Sequence, residues 1–412
     1  MTIRRHPSLI ETPWSGMTLP GLLKGAALLR PDKVLVVDGP DCAAVAGHAP
    51  RTLDARGFWA KSQHCARQLQ ALGLRPGDHV LVHLGNTSDA LIGLVAVMMA
   101  GGAPAALPAF WSRQQVRQAA ELVEAAGILT CVAFAGLRLA EQARLVAADC
   151  ASLRFVAAFG GRTPAGVAAL DSFVPAASEC AARLAQPRAD ASALITFDTV
   201  CGPVRAFSRS HEQLVAEASI AAAGAQIAAD SRLLVTLPPA TVAGALFGLG
   251  APLLTGACAE LAPLFDGCGF ARQLGNGRGL TIIMPGQAEA AFNDHCSARK
   301  IRSETVVFVH RPAVSQPDGR LRADHGHGRI VDMTWLGEAC GWSARRGRSR
   351  LEKSGQRQNP AGIEGGPSGN LIVAGPLAPA MVGTAGETID TGFPAGAIEA
   401  LRSRPHGQPE AA

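Results

Sequence analysis

Residues Gly73–Pro108 read GLRPGDHVLVHLGNTSDALIGLVAVMMAGGAPAALP, and three consecutive elements follow from them. Gly73-Leu74-Arg75-Pro76-Gly77-Asp78 is a turn, because proline presets one φ and the glycines accept conformations closed to other residues. His79–Leu84 is a short, mainly apolar run of the kind that forms a strand buried on both faces. Asn86-Thr87-Ser88-Asp89 offers capping side chains for a helix. The run Ala90–Leu107 carries no charge and is about as long as a bilayer-spanning helix. Gly101-Gly102-Ala103-Pro104 breaks a helix in its second half. The stretch therefore predicts a buried helix that passes into a buried strand, with no membrane span.

The alternation continues in both directions. A helix over Leu19–Leu29, a strand over Lys33–Asp38 and a helix over about Leu53–Leu72 precede this stretch. A helix over Ser112–Ala126 and a strand over Gly127–Ala133 follow it. From Ser192 onward the periodicity predicts a strand at Ala193–Phe197, a helix around His211–Ala223 and a strand at Arg232–Leu237. An apolar helix around Val242–Leu254 and strands at Leu280–Met284 and Thr305–Val309 complete this half. Strands alternating with helices imply an α/β fold with mostly parallel sheets covered on both faces. We divide the chain into a first α/β lobe (1–190), a second α/β lobe carrying the site (191–345), an Arg/Gly-rich loop with a small β-rich lobe (346–393) and a tail (394–412). No internal repeat is visible.

Composition narrows the function. Hydrophobic residues make up 48% of the 412 and charged residues 17%, enough apolar side chain for a large core. The net charge is only +5, and five of the 38 basic residues are lysine, which argues against nucleic acid as a partner. Tyrosine is absent, so no tyrosine acts as acid or base. The ten cysteines are scattered without a C-x-x-C pair, which predicts free buried thiols in a reducing cytoplasm. Met1–Pro13 has no apolar core of a signal peptide, so the expected location is cytoplasmic. Asp324-His325-Gly326-His327 has H-x-H spacing, but the stretch around it offers no further close ligand, and we read it as a solvated loop. The basic run Arg345–Arg357 reads as a surface loop.

The order of pieces in Gly73–Pro108 resembles the opening lobe of the adenylate-forming superfamily: acyl- and aryl-CoA synthetases, peptide-synthetase adenylation domains and luciferases. Leu237-Pro238-Pro239 through Gly244, with Pro252-Leu253-Leu254 and Gly256-Ala257, is similar to that family's central segment. Thr281–Pro285 is similar to its next strand, Gly369–Pro376 to its "GEL-V-GP" strand, and Ile389-Asp390-Thr391-Gly392 to its "TGD". The resemblance runs from about residue 20 to residue 393. It covers the large N-terminal domain and stops where the family's small C-terminal domain, with its active-site lysine, is expected. It implies ATP-dependent activation of a carboxylic acid, acyl or aryl, as its acyl-adenylate. ATP/AMP and Mg²⁺ would be cofactors, and CoA or an acyl-carrier protein the acceptor.

The resemblance also assigns residues. The phosphate loop of Ser, Thr and Gly closing on Pro-Lys corresponds to Asp198-Thr199-Val200-Cys201-Gly202-Pro203-Val204-Arg205. Gly202 matches a glycine of that loop, Thr199 keeps a hydroxyl and Arg205 stands at the lysine, where it would offset phosphate charge. Asp198, Val200 and Cys201 depart from the pattern. Glu338, within Thr334-Trp335-Leu336-Gly337-Glu338, stands at the magnesium-binding glutamate; a hard oxygen ligand suits Mg²⁺. Thr334 replaces the aromatic residue that stacks on adenine. His310–Val314 replaces the small adenine-side loop, and Phe393 replaces the ribose-binding aspartate, leaving Asp390 as the ribose candidate. The acid would lie between the segment Val242–Gly250 and the strand Thr281–Pro285. Two readings follow: an acid ligase, or a non-catalytic protein that keeps the scaffold to bind an acyl ligand or a partner.

Overall fold

The computed structural model describes residues 14–171, 184, 186–199, 203–264, 267–275, 279–311, 327–345, 362–365, 370–374, 377–382 and 389–394; at 267, 340, 342–345, 362–365, 370–374 and 389–394 no side chain is described. Two eight-stranded sheets and one three-stranded sheet form the β-structure. In the first large sheet the strands lie in the order Cys340–Arg345, Arg329–Leu336, Thr305–His310, Leu280–Pro285, Arg232–Val235, Cys258–Leu261, Val34–Asp38, Thr52–Asp54. The six inner strands run parallel and both edge strands are antiparallel. The second runs Ala380–Met381, Arg205–Ser210, Ser192–Asp198, Ala103–Leu107, His79–His83, Gly127–Cys131, Phe155–Phe159, Ala168–Ala169. Each large sheet takes strands from both sides of residue 190. The third sheet pairs Asn370–Ala374 with Gly362–Gly365 and Ile389–Pro394.

Side-chain alternation along the strands sorts the core into layers. Val80 and Val82 of one sheet and Leu233, Val235, Val307 and Val331 of the other share one cluster with the helices Leu19–Leu29, Ala55–Ala71, Ser88–Met99 and His211–Ala225. Leu81, Ile128 and Val156, one residue out of step, face the helices Arg113–Leu122 and Leu139–Asp149. Leu234, Ile282 and Phe308 face Gly267–Leu274 and Glu289–Arg299. The order is thus helices, sheet, helices, sheet, helices. Helix Ser88–Met99 belongs to the middle layer, where every one of its residues is buried, which explains why it is apolar all round. The glycine and proline break works as read: the helix stops at Met99 and a strand begins at Ala103. Among the described residues no helix is long and apolar enough to cross a membrane.

The cap of that helix comes from elsewhere than the sequence suggests. Thr87 makes no side-chain capping bond. Asp38, at the end of a strand in the opposite sheet, accepts from Ser88 N–H and Ser88 Oγ, both at 2.7 Å. Asn86 Nδ2 donates to the carbonyls of Val235 and Ala262, each at 2.9 Å, and so ties the two sheets. Asp89 is buried against Arg51 and His48, and this partnership raises the His48 pKa to about 10.

Candidate functional site

Four parallel strands of the first sheet end at one place. Leu237 lies just beyond Arg232–Val235, and Pro285 and Gln287 close Leu280–Pro285. Val309 and Arg311 end Thr305–His310, while Trp335 and Glu338 end Arg329–Leu336. With Thr241, Val242 and Ala243 at the start of the next helix they enclose a cavity of about 210 Å³. A crevice beyond the carboxyl ends of parallel strands is where open α/β sheets bind ligands. Its wall is chiefly apolar, with Arg311 and Glu338 the charged pair within it.

Glu338 sits in the turn Gly337–Ala339 between two antiparallel strands and is 1% exposed. Its Oε2 accepts from Val242 N–H at 2.7 Å, one of the donors that a helix start leaves free. Its Oε1 is paired with Arg311 Nη2. Burial raises the Glu338 pKa, against the pull of Arg311 and the Val242 N–H. The turn is anchored from below by Arg209, a fully buried side chain. Arg209 Nη2 donates to the carbonyls of Glu338 (2.7 Å) and Ala339 (3.1 Å), and its Nε is paired with Glu217 at 3.0 Å.

Asp198 and Arg205 face each other across the hairpin made by Ser192–Asp198 and Arg205–Ser210, 3.3 Å apart. Arg205, read as the group that offsets phosphate charge, therefore already carries an acidic partner. Asp198 reaches Gly337: a Cβ there would fall on its carboxylate, and Gly337 has φ +57°. Arg205, Asp198, Gly337 and Glu338 form one contiguous group. Thr199 follows it and is exposed. Gly202 lies outside the described residues, as do His325 and the basic run beyond Arg345. We expect Gly337→Ala to displace the Asp198 carboxylate and to cost about 1–2 kcal/mol from the left-handed backbone alone. Urea unfolding monitored by tryptophan fluorescence would measure it; unchanged stability would mean that the turn adapts without strain.

Thr334 is buried but does not line the cavity. It pairs in register with His310, whereas Met333 and Trp335 point to the middle layer. The aromatic residue at the cavity is thus Trp335, one position on. Its indole Nε1–H is buried and has no acceptor among the described residues. Asp390 lies in strand Ile389–Pro394, beside Ile372, and its side chain is outside the described residues. His327, read as part of a solvated loop, is buried and within 2.7 Å of Ser303 Oγ. Sequence reading missed Arg311, Trp335 and Arg209. The Trp335 neighbourhood was visible in the motif; the role of the two arginines depends on tertiary contact.

Two clusters elsewhere have metal-ligand chemistry, Asp38 with Cys42 and His48, and Glu289 with His310 and Asp332. In the first, His48 is engaged by Asp89; in the second, His310 Nε2 lies 2.9 Å from Asp332. Mg²⁺, which the resemblance implies at Glu338, does not fit the residues as they stand. Both oxygens of Glu338 are used, a guanidinium occupies one of them, and a 1% exposed carboxylate has no room for the waters that Mg²⁺ keeps.

Comparison with known proteins agrees with this architecture. Residues 24–197 match the family model of AMP-binding enzymes. A salicyl-AMP ligase/salicyl-S-ArCP synthetase of Mycobacterium tuberculosis is 31% identical over 251 residues, 59% of this chain and 41% of that protein. The chain spans about two fifths of the length of that curated relative. The anthranilate CoA ligase AuaEII in complex with anthranoyl-AMP superposes over 92% of this chain and 76% of its own, with a TM-score of 0.74 and 13% identity. Apo MbtA of Mycobacterium smegmatis does so over 89% and 68%, with a TM-score of 0.69 and 20% identity. The fold is that of the N-terminal part of adenylate-forming enzymes. Within it, residues 24–197 match the AMP-binding-enzyme model, and 251 residues of the chain are similar in sequence to a salicyl-AMP ligase.

Proposed function

We propose that the chain activates a small apolar or aryl carboxylic acid as its acyl-adenylate. In that reaction a carboxylate oxygen attacks the α-phosphorus of ATP and pyrophosphate leaves. The observation that supports this most is the apolar cavity at the strand ends, lined by the helix start at Val242–Ala243 and by Pro285, in a chain homologous to a salicyl-AMP ligase. Arg311 is the cationic group on its wall and would orient a carboxylate or phosphate. Trp335 would lie against the ring of an aryl acid. The acceptor would be CoA or an acyl-carrier protein. One observation favours a second reading, a binding protein without catalysis: Glu338 and Arg205 are already paired to Arg311 and Asp198.

The test is titration calorimetry with benzoate, salicylate and anthranilate, followed by pyrophosphate release with ATP. Acid-dependent pyrophosphate release supports the ligase; acid binding without it supports the binding protein. Ala243→Phe, which fills the cavity, should weaken acid binding at least about tenfold, or about 1.4 kcal/mol. Unchanged affinity in that variant would remove the cavity from the acid site.

A further inference from the structure

We propose that Arg311 is the resident counter-charge of Glu338, seated where the family resemblance puts a divalent cation, and that oxyanions bind in the adjoining cavity through Arg311 without such an ion. For the ligand this rests on the acid-activation reading; for the cation it does not.

A carboxylate as buried as Glu338 is costly unless its charge is offset and its lone pairs are occupied. The Val242 N–H occupies one oxygen and Arg311 the other. The requirement is thus met by the chain itself, and a divalent ion at Glu338 would have to expel the guanidinium. Asp198, whose charge also acts on Glu338, is held by Arg205. Arg311 is not exhausted by this pairing. A guanidinium has five N–H donors, and only Nη2 has a hydrogen-bond partner among the described residues. Its side chain is 29% exposed and lines the cavity. The Trp335 ring belongs to the same cavity wall. The remaining donors of Arg311, on a chiefly apolar wall, suit one oxyanion, either the carboxylate of an acid or a phosphate of a nucleotide. A planar guanidinium serves both.

The test uses the full chain. Benzoate and ATP are titrated separately, each in excess EDTA and in excess Mg²⁺. We expect the Kd of whichever binds to agree within about threefold between the two conditions. Benzoate binding alone assigns the oxyanion site to carboxylates, and ATP binding alone to phosphates. Binding that EDTA abolishes overturns the proposal. In parallel, Mn²⁺ is titrated by electron paramagnetic resonance. The wild type should bind no Mn²⁺ at Glu338, whereas Arg311→Gln should gain a site that a further Glu338→Gln removes. A wild-type Mn²⁺ site that is lost in Glu338→Gln refutes the proposal. If neither benzoate nor ATP binds, the acid-activation reading falls, and the Mn²⁺ comparison alone decides the counter-charge. If Arg311→Gln does not fold, the wild type and Glu338→Gln decide it.

Discussion

Replacing Arg209 with alanine is expected to destabilise the protein by about 3–5 kcal/mol, the cost of leaving one partner of a buried ion pair alone. Arg209 is 0% exposed and Glu217, its partner, is buried with it. Burial already pushes the Glu217 pKa up although Arg209 pulls it down, so without the arginine the carboxyl would be protonated or unpaired. The loss has a second part. The carbonyls of Glu338 and Ala339 would lose the donor that fixes their turn, and a buried acceptor left unsatisfied costs about 1–3 kcal/mol. The double variant Arg209→Met with Glu217→Leu removes the stranded charge and keeps most of the volume. It should recover the ion-pair part of the loss while leaving the two carbonyls without their donor. Equilibrium unfolding of the two single variants and the double variant separates these contributions. An Arg209→Ala variant as stable as the wild type would show that Arg209 does not hold the Glu338 turn. The physical point is that the second sheet positions the acid on the first: Arg209 belongs to a strand of one and reaches the turn of the other.

That link also marks where sequence reading ends. Helix Leu19–Leu29 is legible because its start has proline in the first turn after a capping threonine. The passage from helix Ser88–Met99 to strand Ala103–Leu107 is legible because glycine and proline leave few alternatives. Alternation of strands and helices predicts parallel sheets but does not say which sheet a strand joins. Val34–Asp38 lies beside Cys258–Leu261, more than two hundred residues away. At the site, resemblance points to the turn after strand Arg329–Leu336, and a shift of one residue there changes the face. Thr334, read at the stacking position, lies in register with His310, and Trp335 reaches the cavity. In a strand such a slip exchanges inside for outside. Glu338 is singled out by its place in the motif. Its two ligands are not, because a backbone N–H from residue 242 and a guanidinium from residue 311 meet it only in three dimensions. The cap supplied by Asp38 was hidden for the same reason.

Acidification should unfold the protein through two histidines that the core keeps neutral. Burial lowers the pKa of His211 to about 3, and its Nδ1 accepts from Leu19 N–H at 3.3 Å, which fixes the tautomer. Burial lowers that of His83 to about 4, against the carbonyls of Ala109 and Pro108. In the unfolded chain both titrate near about 6.5. Between these values the unfolded state binds more protons than the folded one, so stability falls as pH falls, by about 1.4 kcal/mol per pH unit for each histidine. His48 adds nothing to this limb, because its raised pKa keeps it protonated in both states. Its contribution is full below about 6.5 and is lost as pH rises toward about 10. Glu217 and Glu338 act against the histidines. Burial raises both, so above about 4.5 the folded state holds their protons more tightly and they oppose the acid loss. The wild-type slope is therefore a difference of opposing terms, and a variant isolates the histidine. His211→Asn keeps an acceptor for the Leu19 N–H and does not titrate. Its unfolding free energy between about pH 5 and pH 6.5 should vary less steeply than the wild type's by about 1 kcal/mol per pH unit. An acid limb of the same slope in this variant would place the proton uptake on another group.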